Sequence, residues 1–118
     1  MNIEAVRLYC LSQPHATEDM PFGEDYVAFR IAGKIFAGLA LGQGNVLQMQ
    51  CHPDEFDEVT AQYPFVTQAW HWHKRHWIQL ELDDAIDDAV IQKLIDRAYA
   101  VVWGKLTRKQ RLGISPSR

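Results

Sequence analysis

The sequence predicts an α+β fold with the order α-βββ-α-ββ-α, in which a five-strand antiparallel sheet carries helices mainly on one face. Two observations lead to this prediction. Strand-like runs of five to eight residues are joined by tight turns, and one long apolar stripe near the C-terminus has helical spacing. Short strands linked by tight turns are typical of an antiparallel sheet with its helices on one side. At this length we expect a single domain over residues 1–118.

The first half of the chain is predicted to hold one helix and three strands. Asn2 is a favourable N-cap for a helix that stops before Pro14, and residues 14–25 read as a loop. A tight turn at Ala32-Gly33 joins the first two strands as a hairpin. In the third strand polar and apolar residues alternate, which indicates one buried face and one face in contact with water. The three strands cover residues 26–31, 34–41 and 45–51.

The second helix and the last two strands follow. Pro53 suits the first position of a helix, and Tyr63-Pro64 ends it. Residues 66–70 and 77–82 have the composition of strands, and residues 71–76 connect them. These two strands complete the five-strand sheet.

The final helix begins near residues 84–88 and is predicted to cover the sheet. The pattern is lost after Leu106, so we expect residues 109–118 to form a basic, frayed tail. The helix is predicted from a stripe of apolar residues at helical spacing: Ile86, Val90, Leu94, Ala98, Val101 and Val102.

The composition excludes several classes of protein. With 47% hydrophobic and 23% charged residues, the chain is typical of a globular protein rather than a disordered one. No apolar run approaches the ~20 residues that span a bilayer, and the first residues do not resemble a secretion signal. We therefore expect a soluble, cytoplasmic protein without a membrane partner. Cys10 and Cys51 are expected to be buried, reduced thiols.

Charge is distributed unevenly along the chain. Residues 97–118 carry six basic residues and no acidic one, whereas residues 1–96 carry the other six bases and all fifteen acids. The net charge of −3 argues against a protein that coats nucleic acid generally. The basic segment is suited to an anionic partner, and it equally complements the C-terminal end of the last helix.

Two separate stretches carry a resemblance to a known family. The first is Glu18-Asp19-Met20-Pro21-Phe22-Gly23, and the second is His71 followed by Lys74-Arg75-His76-Trp77. Together they resemble the MmcQ/YjbR family, whose members have an acidic-x-Pro-Phe-Gly element and a His-Met-Asn-Lys-(Lys/Arg)-His-Trp segment at this separation. The resemblance covers residues 2–108, with Trp72 and His73 in place of the family's Met and Asn. It implies a CyaY-like, or frataxin-like, fold that is also described as a "double-wing" DNA-binding arrangement.

The segment from Trp70 to Trp77, Trp-His-Trp-His-Lys-Arg-His-Trp, is the most unusual part of the sequence. Aromatic rings interleaved with cations can stack on bases and neutralise phosphates. Strand-like alternation would place Trp70 and Trp72 on one face and His71 and His73 on the other. Alternatively, some of the indole rings complete the core and the histidines form local hydrogen bonds.

These observations lead to two hypotheses for the function. The first is a DNA-binding module whose two wings are the hairpin at residues 30–34 and the segment from Trp70 to Trp77. The alternative is a module that binds a protein or a small ligand through the same aromatic surface, without nucleic acid and without catalysis. The predicted site residues are Arg30, Lys34, Trp72, Lys74, Arg75 and His76.

Metal, cofactor and catalytic sites are not predicted. His71, His73 and His76 are candidate zinc ligands by residue type, but no C-x-x-C or H-E-x-x-H pattern supports them. No nucleophile elbow, phosphate loop or spaced carboxylate pair is present, so we expect no enzyme and no cofactor. One acidic cluster suits the start of the last helix without any metal; it comprises Glu81, Asp83, Asp84, Asp87 and Asp88.

Overall fold

The computed structural model describes residues 1–42 and 44–114. Four helices are present in these residues: α1 (Ile3–Ser12), α2 (Phe56–Gln62), α3 (Asp88–Lys105) and α4 (Arg108–Ile114). A single 3-10 turn, Pro53–Glu55, precedes α2. The strands are β1 (Thr17–Asp19), β2 (Tyr26–Ile31), β3 (Lys34–Ala40), β4 (Val46–Gln50), β5 (Thr67–Gln68) and β6 (Trp77–Glu81).

The strands form one antiparallel sheet in the order β1-β2-β3-β4-β6-β5. The predicted α+β class and antiparallel sheet are therefore confirmed, but the strand number of five was wrong, since the described residues contain six. The additional strand, β1, lies inside the predicted loop and pairs with β2, with Thr17 opposite Arg30. Three polar residues at a sheet edge give no hydrophobic alternation, which is why the pattern missed this strand.

Two further boundaries differ from the prediction. The strand predicted over residues 66–70 is reduced to β5, and the chain beyond it forms turns. The tail predicted to be frayed forms α4 up to Ile114, while residues 115–118 lie outside the described residues. Its start is a capping box, because Gln110 N donates to Thr107 Oγ1 at 3.1 Å and Thr107 N donates to Gln110 Oε1 at 2.9 Å.

Polar caps fix the starts of the two helices that pack on the sheet. Ala5 N donates to the side chain of Asn2 at 2.8 Å, as predicted for α1. Ala89 N donates to Asp87 at 2.9 Å, so Asp87 is the N-cap of α3. None of the helices in the described part of the chain is long and apolar enough to cross a membrane.

One face of the sheet, which we call the helix face, is covered by α1 and α3. The core contains Val6 of α1, Leu94 and Ala98 of α3, and Leu39 and Leu47 of the sheet. These side chains are at most 2% exposed, as expected for a close-packed interior. Cys10 and Cys51 belong to the same core and are free thiols, which confirms the prediction for both. Burial raises the pKa of the Cys10 thiol to about 12, so it remains protonated.

Candidate binding pocket on the open face of the sheet

Within the described part of the chain, no helix packs over the centre of the other face of the sheet, which we call the open face. The register places Gly38, Gln48 and Gln79 side by side on three adjacent strands. The sequence predicted contact with water for Gln48, yet Gln48 is 3% exposed and Gln79 is 5% exposed. The prediction of a wet face was wrong at this point because residues 70–72 fold back across it.

Buried amides on the open face are held by a chain of hydrogen bonds. The indole Nε1 of Trp72 donates to Gln48 Oε1 at 2.8 Å, and the hydroxyl of Tyr26 donates to the same oxygen at 3.1 Å. Gln48 Nε2 donates to Gln79 Oε1 at 3.0 Å, and the backbone N–H of Trp70 donates to that oxygen at 3.0 Å. Buried polar groups are tolerated only when paired in this way, so the bonds fix residues 70–72 on the sheet.

The aromatic rings of the open face also hold one another. Trp72 stacks on Trp77 with ring centroids 4.1 Å apart and an interplanar angle of 14°. Phe22 makes edge contacts with Tyr26 at 5.3 Å and with Trp72 at 6.4 Å. The Tyr26 ring lies directly on Gly38, where a Cβ atom would collide with it. Gly38 is therefore the residue that lets Tyr26 lie flat against the sheet.

These side chains enclose a pocket of about 440 Å³, which we call the open-face pocket. Trp70 is 50% exposed and Phe22 is 65% exposed, so both rings stand at the surface. Single exposed apolar side chains are common on protein surfaces, but a contiguous apolar patch often marks a binding site. The lining residues are Phe22, Tyr26, Ala40, Gln48, Trp70, His71 and Trp72.

The pocket brings together the two stretches that carry the family resemblance. Phe22 comes from the Pro-Phe-Gly element, and His71 begins the second stretch. The intervening strands supply the Tyr26 ring and the Gln48 amide. Phe22, Tyr26 and Gln48 are not among the site residues predicted from the sequence. The available signal was the Pro-Phe-Gly element, but nothing in the sequence shows that its ring folds onto the sheet.

The two predicted arginines are paired with carboxylates of the same chain. Arg30 Nε lies 2.8 Å from Asp19 Oδ1, and Arg30 also donates to the carbonyl of Gly33. Arg75 Nη1 lies 3.0 Å from Asp57 Oδ1, and its guanidinium stands over the Phe56 ring at 5.2 Å. The Arg75 guanidinium holds the pKa of Asp57 below its usual value. Both arginines thus stabilise local structure.

The remaining predicted site residues separate into two groups. Trp72 lines the open-face pocket, whereas Lys34 and Lys74 are exposed elsewhere on the surface. The ring of His76 packs edge-on against His73 with centroids 4.6 Å apart. Burial, together with the neighbouring His73 and Lys105, lowers the pKa of His76. The strand-like alternation predicted for residues 70–73 was wrong, because this segment consists of turns.

The two predicted wings nevertheless lie at the same end of the sheet. Lys34 begins β3 beside the end of β4, and Gln50 at the end of β4 pairs with Trp77. The end of α3 reaches this region too, since Lys105 Nζ donates to Gln50 Oε1 at 2.8 Å. We call this region the basic end of the sheet.

The histidines and acids considered for metal binding have local roles. Asp87 caps α3, and Asp83 Oδ1 accepts a hydrogen bond from Ala85 N at 2.8 Å. His71 lines the open-face pocket, while His73 and His76 pack against each other. Within residues 1–42 and 44–114, no group of three or more His, Cys, Asp or Glu side chains is arranged to hold a metal ion.

Known structures share this architecture. A crystal structure of Deinococcus radiodurans protein DR2400, with a DUF419 domain, superposes with a TM-score of 0.83 at 23% identity, covering 99% of this chain and 91% of that one. A crystal structure of a Pseudomonas syringae protein has a TM-score of 0.73 at 22% identity, covering 86% of this chain and 98% of that one. At such identities the likeness concerns the fold alone.

Sequence comparison gives the family. The uncharacterized protein YbdF of Escherichia coli O157:H7 is 25% identical over 114 residues, which cover 96% of this chain and 93% of that protein. The sequence model of the YjbR family matches residues 11–101, a range that includes both stretches singled out in the sequence and every residue that lines the open-face pocket. The chain therefore belongs to the YjbR family.

Proposed function

We propose that this protein is a binding module without catalytic activity, and that the open-face pocket receives a small, flat, mainly apolar ligand. The observation that carries this proposal is the convergence of Phe22 with Trp70 and Trp72 around one cavity, from two stretches of the chain far apart in sequence. A volume of about 440 Å³ is within the range of small-molecule pockets.

The pocket is organised before any ligand arrives. Gln48 holds Trp72 and Tyr26 by hydrogen bonds, and Gly38 gives the Tyr26 ring its position. A preformed site loses little conformational entropy on binding, which favours affinity even for a small ligand. The rings of Trp70 and Phe22 then offer apolar surface that a ligand would remove from water.

A second cavity, of about 480 Å³, is a weaker candidate. It lies between the 3-10 turn and α3, where Arg97 and Glu55 form an ion pair at 2.7 Å. Lys105, also in its lining, is bonded to Gln50. Since these charged groups already have partners, the cavity offers less free binding capacity than the open-face pocket does.

The proposal is tested by measuring the affinity for flat aromatic fragments, for instance by tryptophan fluorescence, in a wild type and a blocked variant. Ala40 lines the pocket, so Ala40→Phe should fill it and abolish binding. The matched control is Ala61→Phe, which adds the same ring at an exposed position of α2 and should leave binding unchanged. If no fragment binds saturably to the wild type, or if Ala40→Phe binds equally well, the proposal fails.

DNA binding is the second candidate, and the basic end of the sheet is the observation that favours it. Lys34 begins β3 at this end, Lys74 lies in the segment that leads into β6, and Lys105 is bonded to Gln50. Arg108 and Lys109 follow at the start of α4. Contacts with phosphates would come from the exposed lysines, because Arg30 and Arg75 already hold carboxylates.

Titration of labelled single- and double-stranded DNA at low salt tests this second candidate. If it is correct, Lys34→Ala combined with Lys74→Ala should weaken binding similarly for all sequences and flatten the salt dependence by about two phosphate contacts. The control is Lys93→Ala, an exposed lysine within α3 rather than at the basic end. An absence of binding by the wild-type protein at low salt rules the candidate out.

A further inference from the structure

The hydrogen bonds of the open-face pocket can be assigned a direction, because two of the groups are obligate donors. The indole Nε1 of Trp72 and the backbone N of Trp70 can only donate. The atoms they reach must therefore be the amide oxygens of Gln48 and Gln79, respectively. This assignment leaves Gln48 Nε2 as the donor to Gln79 Oε1, at 3.0 Å.

The same assignment determines the state of the Tyr26 hydroxyl. Its neighbour is the oxygen of Gln48, at 3.1 Å, so the hydroxyl must donate its only proton there. Burial raises the pKa of Tyr26 to about 12, an effect that the nearby indole N–H of Trp72 partly offsets. The hydroxyl is therefore neutral at physiological pH. Its proton is engaged, and what it retains is the capacity to accept a hydrogen bond.

Among the residues that the structure describes, the lining of the pocket contains no Lys, Arg, Asp or Glu side chain, and its one imidazole is that of His71. A ligand with a full charge would lose its hydration there without gaining a permanently charged counter-ion, which is costly. Four aromatic rings, those of Phe22, Tyr26, Trp70 and Trp72, supply flat surfaces instead. Stacking on such rings favours a planar ring system over a branched aliphatic group.

Granting the proposed function, we infer that the ligand of the open-face pocket is a neutral, planar heteroaromatic molecule with an N–H or O–H donor, which it directs at the hydroxyl oxygen of Tyr26. A flat hydrocarbon would gain the ring contacts but would form no hydrogen bond with this oxygen. Among flat ligands, the Tyr26 hydroxyl oxygen thus favours those that carry an N–H or O–H donor.

Indole and 1-methylindole form the simplest test, because they have the same ring system and only indole carries an N–H donor. We expect the wild type to bind indole about 3- to 10-fold more tightly, as one neutral hydrogen bond allows. In Tyr26→Phe the preference should fall to about one. Because Tyr26 also lines the pocket, the readout is the ratio of the two affinities and not either affinity alone. Tyr9→Phe is the matched control; its hydroxyl contacts Asp96 on α3, so the preference should persist.

The outcomes separate this inference from the proposed function. If neither indole nor 1-methylindole binds the wild type, the proposed function itself fails. Equal binding of both by the wild type overturns the inference and leaves the pocket as a general site for flat molecules. Should Tyr26→Phe fail to fold, benzothiophene decides in its place, since it matches indole in size but lacks a donor. Binding of benzothiophene as tight as that of indole contradicts the inference.

Discussion

The two faces of one sheet are both buried, but by different means. On β4, Leu47 and Met49 point to the helix face and join an aliphatic core, where packing alone stabilises them. Gln48, between them, points to the open face and is buried by hydrogen bonds to an indole and a phenol. Low exposure by itself therefore does not separate residues of the hydrophobic core from residues of the open-face pocket.

The two faces therefore contribute to the protein in different ways. The side chains of the helix face are buried in the core, where their contribution is mainly to fill space. The open face retains directional groups, a cavity of about 440 Å³ and two exposed rings, those of Phe22 and Trp70. We expect substitutions on the helix face to change stability, and those on the open face to change binding as well.

The largest effect is expected on the helix face. Leu94 of α3 is 2% exposed, so Leu94→Asp places an unpaired carboxylate in the core and should lower the free energy of unfolding by about 4 kcal/mol or more. Chemical denaturation measures this loss. The control is Lys93→Asp, at the neighbouring exposed position, which should change stability little. A fully stable Leu94→Asp variant would mean that α3 does not supply the core.

Gly38→Ala should disturb the open face and leave the helix face intact. The added methyl group collides with the Tyr26 ring, so we expect a loss of about 2 kcal/mol together with loss of ligand binding. Gly104→Ala is the matched control within α3, where nothing lies near the added methyl group. There the helix should gain up to about 1 kcal/mol. Two substitutions of the same kind should thus have opposite signs in thermal unfolding.

Gln48→Leu removes the shared acceptor of the open face with little change in volume. The Trp72 indole N–H and the Tyr26 hydroxyl then lose their partner, which should cost about 1–2 kcal/mol. The fluorescence of Trp72 should change with it. Gln62→Leu, at an exposed position of α2, is the control and should be close to neutral. Unchanged stability and fluorescence in Gln48→Leu would show that these bonds do not hold the pocket.

The smallest effect concerns acid stability at the edge of the sheet. Glu18 of β1 accepts a hydrogen bond from Arg7 Nε at 2.8 Å, and this bond lowers the pKa of Glu18 below its ordinary value of 4.5. A lowered pKa means that the folded form binds the proton less readily than the unfolded form does. The stabilisation is therefore complete above about pH 4.5 and is lost as the pH falls further.

Glu18→Gln should flatten the dependence of unfolding free energy on pH below pH 4.5, measured by denaturation at several acidic pH values. Glu24→Gln, in an exposed loop, serves as the control. If Glu18→Gln and the wild type lose stability in parallel, the Arg7 contact does not contribute to acid stability.

Regular periodicity made most of the fold predictable. The stripe on α3 and the apolar positions that alternate in β4 reflect burial on the helix face, which sequence encodes directly. β1 was missed because its three residues are polar and are held in place partly by the contact of Glu18 with Arg7. The Thr107-x-x-Gln110 box could have predicted α4, but it was overlooked.

The site was less predictable, for a physical reason. Trp-His-Trp-His imitates the alternation of a strand, yet the backbone turns there, and His71 has a φ of 64°. What holds this unusual conformation is distant in sequence, namely the bonds from Gln79 and Gln48 to residues 70–72. Likewise the contact between Phe22 and Trp72 depends on the folded sheet. Local pattern contains no information about such pairings.

The most direct test of the account is an NMR titration of the ¹⁵N-labelled protein with indole. We predict saturable shifts of the Trp72 indole N–H and of the backbone amides of Phe22 and Trp70, while the amides of Lys34 and Lys74 at the basic end remain unchanged. That result would locate ligand binding on the open face. Ligand binding in the open-face pocket is contradicted if the Trp72 indole N–H does not shift at saturating indole, or if the shifts concentrate at Lys34 and Lys74 instead.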